Sequence, residues 1–130
     1  MINLEKIRQD FPLFSKSING KPLVYFDNAC MSLKPLPVIK AINEYYNDYP
    51  ACGGRSGHKL ADMVTKKVEA SRKTIAQFIN AKHTEEIIFT RNTTEGINLI
   101  AHSLKLNSGD IILTTDKEHN SNLIPWQILS

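Results

Sequence analysis

Only two cysteines, Cys30 and Cys52, stand among 130 residues, too few for a disulfide scaffold and without the close pairing of a zinc knuckle. They read as reduced thiols. No apolar run approaches membrane-spanning length, and the N-terminal stretch MINLEKIRQDFPLF is amphipathic and charged, with neither an apolar signal core nor a small-residue cleavage site. A cytoplasmic protein without membrane attachment is the expectation. Neither sign of charge dominates: the formal charge is +3, with Lys and Arg spread among Asp and Glu, so a nucleic-acid footprint is not indicated. The four histidines, His58, His83, His102 and His119, show no paired ligand spacing, which argues against a metal site. Internal repeats and low-complexity linkers are lacking as well. The length corresponds to one modest domain or to a piece of a larger one.

What is present is a globular composition, 42% hydrophobic and 22% charged. PLVYF, Pro22 to Phe26, is a short extended segment reached through the turn signal NGKP, and it runs into DNACMS. Val38, Ile39, Ile42, Tyr45, Tyr46 and Tyr49 recur at helical spacing, with Pro37 suited to the first turn and an end near Pro50. The glycine-rich ACGGRSGH precedes a longer helix marked by Leu60, Val64, Val68, Ile75 and Phe78, with Lys66, Lys67, Arg72 and Lys73 on its solvated side. From Glu85 the period changes. EEIIF reads as a strand, Ile97, Ile100, Ala101 and Leu104 as a helix face, NSGD as a turn and IILTT as a second strand, which makes a β-α-β unit with parallel strands. NSNLIPWQILS looks like the opening of another helix.

The stretch RNTTEG invites two readings. Asn92 is a good N-cap and Glu95 stands at the capping-box spacing, so on the local sequence alone an ordinary capped helix is the default. The same geometry leaves the first-turn amides pointing outward beside the hydroxyls of Thr93 and Thr94, at the positive end of the helix dipole, where a phosphate would fit. Neither the Walker loop nor the dinucleotide turn is present. The Asn92 sequon has meaning only in a secreted chain and carries no weight.

YFDNACMSLKP, GRSGHKLA, IIFTRNTTEGINLIA, GDIIL and KEHNSNLIPWQ occur in an order that resembles the class V aminotransferases, and within them the N-terminal part of a cysteine desulfurase of the group that includes selenocysteine lyases. The usual forms there are YLDNAA, HRGxHxL, FTRGTTEAINL and EHHANIVPW. The pattern covers the chain from about Phe11 to Ser130. It implies an α/β fold class: residues 1–130 as the truncated N-terminal portion of the fold-type-I large domain, with a parallel-type sheet and flanking helices.

The resemblance also implies roles. Thr93 and Thr94 match threonines that bind the phosphate of pyridoxal 5'-phosphate, and His119 matches the catalytic histidine that stacks on the cofactor ring. An independent topological argument puts His119 beside the phosphate, since ligands of open parallel sheets gather at the carboxyl ends of strands. Arg55 and His58 match a substrate-side motif near the entrance and dimer interface, against the plain reading of Arg55 as a solvated loop charge. Asn28 and Ala29 match backbone near the substrate carboxylate, against the plain reading of an Asx turn.

Departures from the pattern are Gly54 for histidine, Asn92 for glycine and Asn120 for the second histidine. The lysine that carries the cofactor, the aspartate on its ring nitrogen and the persulfide-forming cysteine all come later in the family than Ser130, so neither Cys30 nor Cys52 takes the last role. The expectation is therefore a piece of a pyridoxal-phosphate enzyme of sulfur metabolism, which converts L-cysteine or selenocysteine to alanine plus enzyme-bound sulfur. That enzyme would be a homodimer serving a sulfur-acceptor protein, and the chain by itself would be inactive. The alternatives are an aminotransferase, epimerase or kynureninase-like lyase on the same fold, or an anion- or partner-binding relic without catalysis.

Overall fold

Helical periodicity is realised wherever the sequence carries it. A computed structural model describes residues 2–129, and its contacts divide the chain into two units, one ending at Thr74 and the other beginning at Ile75.

In the first unit, α1 (Leu4–Gln9) is capped by Asn3, whose side chain accepts from the Lys6 amide at 3.1 Å. A single 3-10 turn, Pro12–Ser15, follows; the Phe11 and Phe14 rings meet edge to face, and the Arg8 guanidinium lies 4.0 Å from the Phe14 ring centre. The NGKP signal becomes a small antiparallel hairpin of β1 (Ser17–Ile18) and β2 (Lys21–Pro22), in which Ser17 faces Pro22 and Ile18 faces Lys21. Asn19 and Gly20 both take positive φ, 52° and 72°, as a two-residue turn matched to strand twist requires.

Pro37 stands in the first turn of α2 (Leu36–Asp48), where its missing N–H is of no consequence, and Pro50 lies just past the C-cap Tyr49. Tyr49 is buried, with Tyr45 edge-on at 5.9 Å. The long helix α3 (Lys59–Phe78) begins after His58 and runs across the division between the units. Its basic run is not wholly solvated: Lys67 pairs with Glu44 of α2 at 2.7 Å, and Arg72 is three-quarters covered beside Glu69. The Glu44 hydrogen bond, helped by Tyr49, raises the Lys67 pKa, and the same bond lowers that of Glu44. Both partners are half exposed, so the pair orients the helices more than it stabilises them.

In the second unit α3 ends in a Schellman arrangement: Asn80 takes φ 56°, its amide donates to Gln77 O, and the Ala81 amide reaches back to Ala76 O. A second 3-10 turn, Thr84–Glu86, is closed reciprocally by His83 and Glu86. Then come α4 (Thr93–Ser103), with Ala101 buried, and a turn in which Asn107 and Asp110 bond each other around Gly109 (φ 98°). The last helix, α5 (Asn120–Leu129), carries a buried Pro125 within it and packs on α4.

The sheet described differs from the expected one: EEIIF opens within the 3-10 turn, and residues 87–90 and 111–115 lie outside the one ladder found among the described residues, so the parallel pairing of EEIIF with IILTT is not part of it. The physical reason is that a ladder supplies a strand's hydrogen bonds only when a neighbour lies alongside, and the one ladder described is the β1–β2 hairpin. Ile87 is buried, but several other apolar side chains of these segments are left in water. Ile111 and Leu113 are 90% and 93% exposed, and Phe26 of the PLVYF segment is 93% exposed.

Candidate functional site

At the N-terminus of α4, the Asn92 side chain accepts from the Glu95 amide at 2.9 Å, as its N-cap position requires. The reciprocal half of the expected capping box is displaced by one residue. Glu95 Oε2 accepts from the Arg91 amide at 2.6 Å, not from that of Asn92, and the Arg91 guanidinium closes on both carboxylate oxygens at 3.3 Å. The cause is the side chain of Arg91, which adds a second charge-assisted contact at that position. The Arg91 amide, then its guanidinium, holds the Glu95 carboxyl below the usual carboxylate range. The amides of Thr93 and Thr94, the first two of the helix, have no intrahelical acceptor.

His119 immediately precedes α5, and its carbonyl accepts from the Leu123 amide at 3.2 Å. Its Nδ1 accepts the Ser121 amide at 3.1 Å, which puts the hydrogen of the neutral ring on Nε2. The turn that carries it is braced by Glu118, whose two carboxylate oxygens accept from Thr115 Oγ1 at 2.9 Å and Asn122 Nδ2 at 2.8 Å. Those two bonds, Asn122 first, lower the Glu118 pKa. Asn122 in turn accepts from the Trp126 indole at 3.1 Å.

The two helix starts meet. Thr94 Oγ1 donates to Ser121 Oγ at 3.0 Å, so the positive ends of α4 and α5, two threonine hydroxyls, a serine hydroxyl and the His119 imidazole are gathered within one unit. Such a donor set suits a multiply charged oxyanion. An open groove lined by Arg91, Thr94, Asn98 and His102 runs on along α4.

The remaining sequence candidates lie in the first unit. Asn28 and Ala29 sit in a tight turn closed by the Met31 amide on Asp27 O, with the Tyr25 hydroxyl donating to Met31 O over it. Arg55 is exposed in the glycine-rich loop, which folds back on α3: Gly54, at φ 74°, donates its amide to Thr65 Oγ1 at 2.8 Å. Gly54 adopts this φ without the strain a side chain would bring. His58 precedes α3, with Nδ1 3.4 Å from the Ala61 amide. No group of His, Cys, Asp and Glu suited to a metal ion occurs among the described residues, and no described helix is long and apolar enough to cross a membrane.

Sequence reasoning passed over Ser121, Glu118, Asn122 and Trp126. Asn122 and Trp126 stand four residues apart on one face of α5, and Glu118, in the turn before the helix, continues the same spacing. Nothing local pointed to Ser121, whose partner Thr94 is 27 residues away.

The family model for aminotransferase class-V matches residues 24–130, and the chain belongs to that family. Among curated relatives it is 47% identical to a probable cysteine desulfurase of Synechocystis sp. over 95% of this chain and 30% of that protein. It is 45% identical to a cysteine desulfurase of Cronobacter sakazakii over 98% of this chain and 32% of that one. The apo structure of a cysteine desulfurase from Thermococcus onnurineus superposes with a TM-score of 0.82 and 47% identity, over 99% of this chain and 31% of its own. The chain thus spans about a third of the length of the relatives it matches.

Proposed function

We propose that this chain is the cofactor-anchoring part of a cytoplasmic, pyridoxal-phosphate-dependent cysteine desulfurase that takes L-cysteine to L-alanine and bound sulfur. The observation that carries the reading is the convergence of the α4 and α5 N-termini through Thr94, Ser121 and His119. The donor set fits the group: the Thr93 and Thr94 amides and hydroxyls would hold its phosphate, and the exposed His119 would lie on its ring. When bound, the cofactor supplies an electron sink for the substrate's α-carbon. The protein's share here is to bind the phosphate dianion against two helix dipoles and to hold the imidazole in one tautomer. Glu95 does not oppose an anion, because Arg91 covers its carboxylate from three donors.

Asn28 and Ala29 would serve the substrate carboxylate through backbone, and Arg55 and His58 a substrate or dimer entrance. A homodimer and a sulfur-acceptor protein belong to the same reading. The test is titration with pyridoxal phosphate while following the amide resonances of residues 92–96 and the His119 ring. Largest shifts elsewhere would refute it.

A further inference from the structure

His119 takes its orientation from its neighbours in the chain. Its Nδ1 accepts the Ser121 amide at 3.1 Å, and its carbonyl accepts the amides of Asn122 at 2.8 Å and Leu123 at 3.2 Å. The ring is therefore only as fixed as the segment 115–122 around it. Pro125 has no N–H to donate to the Ser121 carbonyl, so the backbone of α5 is short of one bond just behind that segment.

Side chains supply what the backbone lacks. Thr115 Oγ1 accepts the Lys117 amide at 3.4 Å and donates to Glu118 Oε1 at 2.9 Å. Glu118 Oε2 accepts from Asn122 Nδ2 at 2.8 Å, and Asn122 Oδ1 accepts from the Trp126 indole at 3.1 Å. Chemistry sets every direction in this series, because a carboxylate only accepts and an indole N–H only donates. The amide between them has one arrangement that serves both, its nitrogen toward Glu118 and its oxygen toward Trp126. The series also ends in covered structure: Glu118, Asn122 and Trp126 are half-buried, and the indole lines a cavity of about 270 Å³ with Leu106, Ile112 and Leu123.

We propose that Trp126 is a positioning residue for His119, acting through the Asn122 amide and the Glu118 carboxylate. The indole fixes which way the amide faces; the amide and the Thr115 hydroxyl fix the carboxylate from the two sides of the turn; the turn fixes the imidazole. Trp126 thus governs how His119 meets the cofactor ring without a part in that contact itself. This inference rests on the reading of His119 as the residue that lies on the ring.

The experiment follows the full chain by NMR, with inorganic phosphate and pyridoxal phosphate as probes. In wild type both probes should move the amides of residues 92–96, and only pyridoxal phosphate should move the His119 ring. Asn122→Asp keeps the shape and the acceptor for Trp126 but sets two carboxylates against each other. It should speed amide exchange at 119–121 roughly tenfold, as loss of a hydrogen bond to a charged acceptor implies, and most of the His119 ring shift should disappear. The response of 92–96 to inorganic phosphate should persist. Trp126→Phe, which changes no charge, should act in the same direction, about fivefold on exchange. Combining Asn122→Asp with Glu118→Gln should restore both readouts, because the introduced amide donates to the introduced carboxylate, which still accepts from Trp126. A wild-type ring shift in Trp126→Phe or Asn122→Asp, or a double variant no better than Asn122→Asp, would overturn this inference alone. So would loss of the 92–96 response together with the ring shift, which marks general disruption. A wild-type His119 ring that pyridoxal phosphate leaves unmoved, while 92–96 respond, removes the His119 assignment and this inference with it. Absence of any wild-type shift at either place removes the whole cofactor reading.

Discussion

The Thr94 hydroxyl donates to the Ser121 hydroxyl at 3.0 Å, joining the first turns of two helices 27 residues apart in the chain. Around that bond stand the cap of α4, the braced turn before α5 and the His119 ring, and each can be perturbed separately.

Asn92→Ala removes the acceptor of the Glu95 amide and should destabilise α4 by about 1 kcal/mol, while Asn92→Ser or Asn92→Asp should be nearly neutral. Thermal unfolding, with amide exchange read at Glu95 and Gly96, checks this. Unchanged exchange in the alanine variant would mean that Asn92 is not the cap.

Acid should open the same end of the helix. The folded-state pKa of Glu95 is lowered, chiefly by the Arg91 amide, so its contribution is complete above the ordinary carboxylate range and is lost as pH falls through the folded value below that range. The Arg91 amide resonance should therefore move with a midpoint below that range, and Glu95→Gln should abolish the transition. A midpoint at or above the ordinary range would contradict the bond.

Glu118 ties Thr115 on one side of His119 to Asn122 on the other. Glu118→Ala should speed amide exchange at residues 119–121 roughly tenfold, as loss of a hydrogen bond to a charged acceptor implies. Trp126 emission should shift as Asn122 is released, and Glu118→Gln should have a smaller effect. Unaltered exchange would show that the backbone holds the turn unaided.

Chain mixed with pyridoxal phosphate and reduced with borohydride should show no single lysine labelled stoichiometrically, and L-cysteine should yield no sulfide above a heat-killed control. The reason is that no lysine among the described residues joins the hydrogen-bonded group at Thr94 and His119. One lysine labelled to completion would demand a different placement of the cofactor.

Ile111 and Leu113 are almost fully exposed on an unpaired segment and should drive self-association. Ile111→Lys with Leu113→Lys should lower the sedimentation-derived mass average at high concentration while changing stability by no more than about 0.5 kcal/mol, because no packing is lost. A melting temperature that falls sharply would show that these side chains are buried in solution.

The helices were legible in advance because their bonds are local. The apolar spacing of Val38 to Tyr49, Pro37 in a first turn, Asn92 as a cap and Ile97 with Ala101 on one face each specify structure within a few residues, and all are realised in α2 and α4. The same short-range motifs carried the family, which the match over residues 24–130 bears out. Pairing across the chain was another matter. EEIIF and IILTT carry strand composition, yet a ladder needs a neighbour that composition does not name, and the ladder found among the described residues is that of β1 and β2. The reach of Glu95 to Arg91 in place of Asn92 was decided by where the guanidinium could close. Only the tertiary structure could decide that Ser121 meets Thr94, because α4 and α5 must first pack for two hydroxyls 27 residues apart to come within hydrogen-bonding distance.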